Sequence, residues 1–274
     1  MKQIPNIFTL LNLVFGCLAI ICILQNGLTI ATDENGSSLV ILPEKIFLAS
    51  FFIGCAAVID FLDGFVAKLL KASSGIGKQL DSLADVVSFG VAPGLIVYQF
   101  LRLSYAQQED GLDISMLWLL PALLIPCAGA YRLARFNIDR EESYGFKGVP
   151  IPAAGLLIAS FPLIYWYSSS SLSLQILLNK WFWYAIIIIV CWLMVSTLPM
   201  MALKFKEPSL KKLKHFITLI IKLRFKESGL KELLPFIILV IVAIISAFIL
   251  GWIAVPVSFI AYVILSLLYK QQTT

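Results

Sequence analysis

Between residues 60 and 85 the chain reads DFLDGFVAKLLKASSGIGKQLDSLAD, which sets four carboxylates, Asp60, Asp63, Asp81 and Asp85, inside or beside long apolar runs. On a helix, residues three or four apart share a face. Asp60 and Asp63 then lie on one arc with Gly64 and Ala67, and Asp81 and Asp85 lie on another beside Gly77 and Ser88. An uncompensated acid at the centre of a bilayer costs roughly 2.5–3.5 kcal/mol even on the lenient insertion scale. Four together require positive charge, yet the chain has a single His and few Lys or Arg nearby. A divalent metal with a preference for hard oxygen ligands, Mg²⁺ or Mn²⁺, is the partner the residue types indicate. The plainer reading is four acids at a membrane border that face a polar cavity.

The spacing resembles the signature of the CDP-alcohol phosphotransferases, D-x2-D-G-x2-A-R-x8-G-x3-D-x3-D. Asp60, Asp63, Gly64, Ala67, Gly77, Asp81 and Asp85 keep every gap, and Lys68 stands where the pattern has Arg. The resemblance implies an enzyme that displaces CMP from a CDP-linked lipid with an alcohol. It implies Asp60, Asp63 and Asp81 as metal ligands, with Asp85 as the base that takes the hydroxyl proton while sharing a metal. Gly64 and Ala67 would leave room for the nucleotide beside Gly77. Lys68 would face the nucleotide phosphates, without the paired hydrogen bonds of a guanidinium.

Further strings resemble the phosphatidylserine synthase branch of that family. The opening IPNIFTLLN carries Asn6, Thr9 and Asn12 at three-residue intervals, and the resemblance implies that they line the nucleotide pocket. Polar residues capping a helix at the membrane boundary would look the same. SSGIGKQLDSLADVVSFGVAPG, RLARFN and FKGVPIPAAG resemble the same branch. In RLARFN, Arg132 and Arg135 share a helix face. A guanidinium pair suits a phosphate or a serine carboxylate, while snorkelling at the helix end explains the same pair without a ligand. This branch implies L-serine as acceptor, CDP-diacylglycerol as donor, phosphatidylserine and CMP as products, and a homodimer.

The elements that must hold these residues are membrane helices. Hydrophobic residues make up 60% of the 274 positions, and the mean hydropathy is +0.93, values of a polytopic membrane protein and not of a soluble domain. Eight apolar spans are expected, at residues 7–26, 46–68, 80–101, 114–136, 149–168, 181–200, 233–250 and 252–269. The fold class is therefore an all-α bundle of about eight transmembrane helices. The first run is long, with only Lys2 before it, and reads as a retained span and not a cleaved leader. Residues 1–200 form the expected catalytic membrane domain, 201–232 a cytoplasmic basic segment, and 233–274 a C-terminal hairpin.

Positive charge sets the orientation. With both termini in the cytoplasm, all but Lys45, Arg102 and Lys180 of the 21 Lys and Arg fall on the inner side. Outer loops carry Asp33, Glu34, Glu109, Asp110 and Asp113. The acids then open towards the cytoplasm from an inner-membrane protein. The net charge of +5 is sorted by membrane side and is no nucleic-acid footprint. The five Cys lie in apolar spans without metal-ligand spacing and read as small buried hydrophobes.

Three rivals stand beside this reading. One is a sibling enzyme using glycerol 3-phosphate, inositol phosphate or choline. Another is a cation-coupled transporter, although no paired halves with broken helices are visible. The third, a structural membrane protein, gives no reason for the spacing. A short tandem duplication, KFKEPSLKKL at 204–213 and RFKESGLKEL at 224–233, suits an amphipathic helix on the anionic inner leaflet, with His215 on its surface. One copy is expected to be dispensable. A protein lacking residues 204–223 should retain CMP release in membranes; complete loss with normal insertion would show that both copies are needed.

Overall fold

Apolar runs this long leave their backbone no water to bond with, so they must close their hydrogen bonds internally as helices. The structure, a computed structural model, describes residues 4–32, 38–69, 75–108, 113–138, 146–168, 170–201 and 227–268. Helix α1 (Ile4–Gln25) leads through an antiparallel ribbon, β1 (Thr29–Thr32) and β2 (Ser38–Ile41), into α2 (Phe47–Leu69). A continuous run follows: α3 (Gly75–Asp85), a π-helical segment (Val86–Val91) and α4 (Ala92–Ala106). Two 3₁₀ turns, Met116–Trp118 and Leu120–Leu123, precede α5 (Leu124–Ile138). Then come β3 (Phe146–Lys147), α6 (Ile151–Tyr167), α7 (Ser171–Leu177), α8 (Lys180–Val195) and β4 (Pro199–Met200), which pairs with β3. The last elements are α9 (Glu227–Leu250) and α10 (Ala254–Leu268), which pack against each other.

The structure is mostly helical, as expected, but the two small ribbons modify the all-α expectation. Four helical runs among the described residues are both long and apolar enough to cross a membrane: Pro5–Gln25, Glu44–Val66, Gly75–Ala106 and Leu234–Leu268. The pair α7 and α8, bent by 73°, makes a fifth if counted as one span. Eight separate spans do not emerge by this measure, for local reasons. The expected fourth span is interrupted by the 3₁₀ turn carrying Pro121. The expected seventh and eighth lie within Leu234–Leu268, parted at Gly251, whose φ of +55° breaks the helix. Helix α6 is apolar but has only 17 residues. The first copy of the duplication and His215 lie outside the described residues, the second copy enters the start of α9 from residue 227, and the side chains of Ala67 and Lys68 are outside the described residues.

The π-helical segment sits at the centre of the bundle and packs against α1, α5 and α6. Its origin is Pro93. Proline has no N–H to donate, and its ring clashes with the carbonyl four residues back, here that of Phe89. Widening the turn relieves the clash: the Ala92 N–H donates to the Val87 carbonyl, five residues back. Neighbouring helices come close because they offer no side chain at the contact. A Cβ on Gly155 of α6 would lie 2.9–3.1 Å from Phe89 Cβ, Cα and O, and one on Gly16 of α1 would collide with Ser88. Beyond this contact the interior is aromatic. Fully buried Trp183 stacks on Phe100 at 4.6 Å, meets Phe161 edge-on at 5.1 Å, and donates its Nε1–H to the Leu177 carbonyl.

Large apolar side chains such as Phe51, Val58, Phe61 and Phe65 on α2, and Ile244 and Phe248 on α9, point outwards, as suits a surface solvated by lipid tails. Cys17 and Cys127 are also on that outer surface, which corrects the expectation that all five are buried. In lipid, an apolar residue gains little by facing inwards.

The close contact at Gly155 has a measurable consequence. Gly155→Val must displace backbone of the π-helical segment and should lower the melting temperature in detergent, with a cost of about 1–3 kcal/mol. Gly54→Ala, where a Cβ meets nothing within 4 Å, should leave the melt unchanged or raise it slightly. Equal melts for wild type and Gly155→Val would refute the close packing.

Candidate metal centre

Two helices supply the carboxylates. Asp60 and Asp63 are near the C-terminal end of α2, and Asp81 and Asp85 are on the last turns of α3. Helix α1 packs against both and holds them in register. Asp60, Asp81 and Asp85 each offer a carboxylate oxygen, and these three atoms all lie within 4.8 Å of one another. Asp63 stands next to this group and outside it, 8% exposed, with its Oδ2 accepting the Thr9 hydroxyl at 2.5 Å. Thr9 Oγ1 also lies 3.2 Å from the Pro5 carbonyl, but its single proton serves the nearer, charged acceptor.

The polar stripe of α1 therefore reaches both acid pairs. Asn12, fully buried, donates from Nδ2 to Asp85 Oδ1 at 3.2 Å, and its backbone carbonyl accepts the Ser88 hydroxyl at 3.0 Å. Asn6 lies half-buried one turn before Thr9. Asn12 and Ser88 are the residues that the motif alone undervalues. Their signal was the three-residue recurrence Asn6, Thr9, Asn12 inside an otherwise apolar run.

Helix α3 is tied from the other side by the end of α5. Asn137 Nδ2 donates to Ser82 Oγ at 2.8 Å, beside Asp81 in sequence. The Lys78 ammonium donates to the Asn137 carbonyl at 3.3 Å and lies 5.6 Å from the centre of the Phe136 ring. Arg135, expected in an anion clamp, is engaged here with backbone oxygens. Its two terminal nitrogens donate to the carbonyls of Val195 at 2.8 Å, Ser196 at 3.0 Å and Lys147 at 3.4 Å. A cation on the last carbonyls of α8 answers both the unpaired acceptors and the negative end of the helix dipole. Gly148 completes this junction at φ +77°, where a Cβ would lie 2.5 Å from the Met194 carbonyl oxygen. Arg132 is buried on α5, with its charge in electrostatic reach of the Tyr262 hydroxyl on α10. Gly64 has open space on its Cβ side, and Gly77 sits half-buried in the first turn of α3.

The donor set fits a hard divalent ion. Three oxygens from carboxylates converge, and the hydrogen bonds described for Asp63 and Asp85 come from the neutral groups of Thr9 and Asn12. Without a cation the like charges repel. Asp81→Asn should therefore melt higher than wild type after chelation of divalent ions. Added Mn²⁺ should then stabilise wild type, by about 2.7 kcal/mol at a hundredfold excess over the dissociation constant, and the variant far less. An equal Mn²⁺ shift for both proteins would exclude Asp81 from the metal centre.

Comparison with known proteins bears on the same residues. Residues 2–192 match the CDP-alcohol phosphatidyltransferase family. A CDP-diacylglycerol–serine O-phosphatidyltransferase of Helicobacter pylori strain J99 is 40% identical over 116 residues, 42% of this chain and 45% of that protein. One of Bacillus subtilis is 32% identical over 165 residues, 60% of this chain and 78% of that protein. An archaetidylserine synthase of Methanothermobacter thermautotrophicus is 32% identical over 170 residues, 61% of each. The chain thus spans less than half the length of the Helicobacter relative and most of the Bacillus one. All four aspartates, both α1 partners and the α5 tether fall inside the matched region, and on that match the chain belongs to the CDP-alcohol phosphatidyltransferase family.

Proposed function

We propose that the chain transfers the phosphatidyl group of CDP-diacylglycerol to the hydroxyl of L-serine, forming phosphatidylserine and CMP. The observation that carries this is the convergence of Asp60, Asp81 and Asp85 within a stretch similar to relatives named for that reaction. Asp60, Asp81 and Asp85 would hold Mg²⁺ or Mn²⁺, with Asp63 held beside them by Thr9 as a further ligand. When bound, the ion neutralises charge on the diphosphate and on the departing CMP. The serine oxygen forms the new bond to the phosphatidyl phosphorus, the bond from that phosphorus to the oxygen of CMP breaks, and the hydroxyl proton passes to Asp85.

The surroundings support a lipid substrate. An apolar cavity of about 910 Å³ is lined by Ile59, which adjoins Asp60, and extends along α2 and α6 to Phe47 and Tyr167, with Trp252 from the turn before α10. Its lining is almost wholly apolar and lies along the membrane-spanning helices, which suits acyl chains. Open space at Gly64 suits the nucleotide, and Asn6, Gly77, Ala67 and Lys68 are proposed to lie along it. Arg132 is the remaining candidate for the serine carboxylate or the lipid phosphate, since Arg135 is committed to α8. The distribution of Lys and Arg supports an inner-membrane protein with both termini and the acids on the cytoplasmic side. By likeness to the family, it acts as a homodimer.

A sibling acceptor is the remaining alternative, and the relatives' names favour serine over it. The test is CMP release from CDP-diacylglycerol with a panel of alcohols. The expected result is metal-dependent release with L-serine and little with glycerol 3-phosphate, inositol phosphate or choline; release with one of those alone would replace serine. Asp63→Asn and Asp81→Asn should abolish turnover in protein that still inserts. Asp85→Asn should lower turnover by about 10²–10⁴-fold and change metal affinity less. Turnover by Asp85→Asn equal to wild type would remove the base assignment.

A further inference from the structure

Asn12 is a large polar commitment at a place where the bundle offers it little. It is fully buried in α1, and its Oδ1 has no hydrogen-bond partner. An unsatisfied buried acceptor is costly, so a compensating interaction has to hold the amide in this orientation. That interaction is at the other end of the amide. Nδ2 donates to Asp85 Oδ1 at 3.2 Å, and a flipped amide would set oxygen against carboxylate. The backbone fixes the same residue a second time, because Ser88, three residues after Asp85, donates its hydroxyl to the Asn12 carbonyl at 3.0 Å. Gly16, one turn further along α1, lets Ser88 approach without a Cβ in the way.

We infer that Asn12 is a positioning residue for Asp85: its amide pins one carboxylate oxygen and so holds the side chain in the Asp60, Asp81, Asp85 group. A carboxylate on a helix turns readily about its terminal torsion. One donor on one oxygen removes that freedom, and the π-helical segment that begins at Val86 is locked to the same residue of α1. Asn12 thus acts through Asp85 and needs no contact with substrate. The inference rests on the proposed function for its kinetic readout, and on the fold alone for its spectroscopic one.

The experiment compares Asn12→Leu, similar in shape but without a donor, with wild type in detergent micelles. Infrared spectra of the metal-free proteins come first, with the Asp85 carboxylate band assigned by its loss in Asp85→Asn. Asn12→Leu should shift that band. With CDP-diacylglycerol and serine, kcat should fall about 10–100-fold, as for loss of other outer hydrogen-bond partners, while KM for the lipid stays within about twofold. Melting temperature is read alongside. Should Asn12→Leu fail to insert, Asn12→Ala is measured in the same way. An unshifted band, an unchanged kcat, or a kcat loss matched by a collapsed melt would overturn the inference, the last by showing a purely structural role. Absence of CMP release by wild type with serine would instead sink the proposed function, and the infrared comparison would still decide the role of Asn12.

Discussion

Carboxylates brought together within an apolar bundle form an arrangement that positive charge stabilises. Each acid removed from water loses hydration, and each neighbour of like sign adds repulsion. The chain supplies no His among the described residues and sets neutral donors, Thr9 and Asn12, against two of the acids. Such donors orient an oxygen and cancel no charge. The rest of the site fits this shortfall: two helix ends meet so that three carboxylate oxygens converge, a group that could hold a metal ion.

Holding that convergence is the task of parts that carry no chemistry themselves. Helix α1 braces both acid-bearing helices, and its Thr9 and Asn12 lie one turn apart so that each reaches a different helix. The π-helical segment, forced by Pro93, places Ser88 where it fastens α3 to α1 immediately beyond Asp85. Widened turns of this kind are frequent at functional sites, and here the cause is local and visible. At the far side of α3 the string RLARFN divides its labour. Phe136 and Asn137 hold Lys78 and Ser82, while Arg135 caps α8 where Gly148 lets the chain pass. Two strings that resemble ligand-binding motifs thus do much of their work as joinery.

What could be read in the sequence was what depends on spacing along one helix. Asp60 with Asp63 fall on a helix, Phe47–Leu69, close to the expected span 46–68, while Asp81 with Asp85 fall on a run, Gly75–Ala106, that starts five residues before the expected 80–101. What could not be read depends on partners distant in the chain. Nothing near Arg135 announces carbonyls 60 and 61 residues away, and nothing near Asp63 shows that Thr9 draws it aside from the other three acids. Pro93 gave a local sign of irregularity, but a proline in an apolar helix can kink, end or widen it. Which of these occurs is decided by the helices packed around Phe89. Continuity of a helix was also illegible, because apolarity marks burial in lipid and says nothing of where a helix breaks, as Pro121 and Gly251 illustrate.

The central claim is that the acid group exists to bind a divalent cation. Crystals grown with Mn²⁺ and CDP-diacylglycerol, measured at the manganese absorption edge, address it directly. The account predicts an anomalous peak among the carboxylates of Asp60, Asp81 and Asp85, with the nucleotide diphosphate against it. Well-ordered aspartates with no peak among them under saturating Mn²⁺ would contradict it.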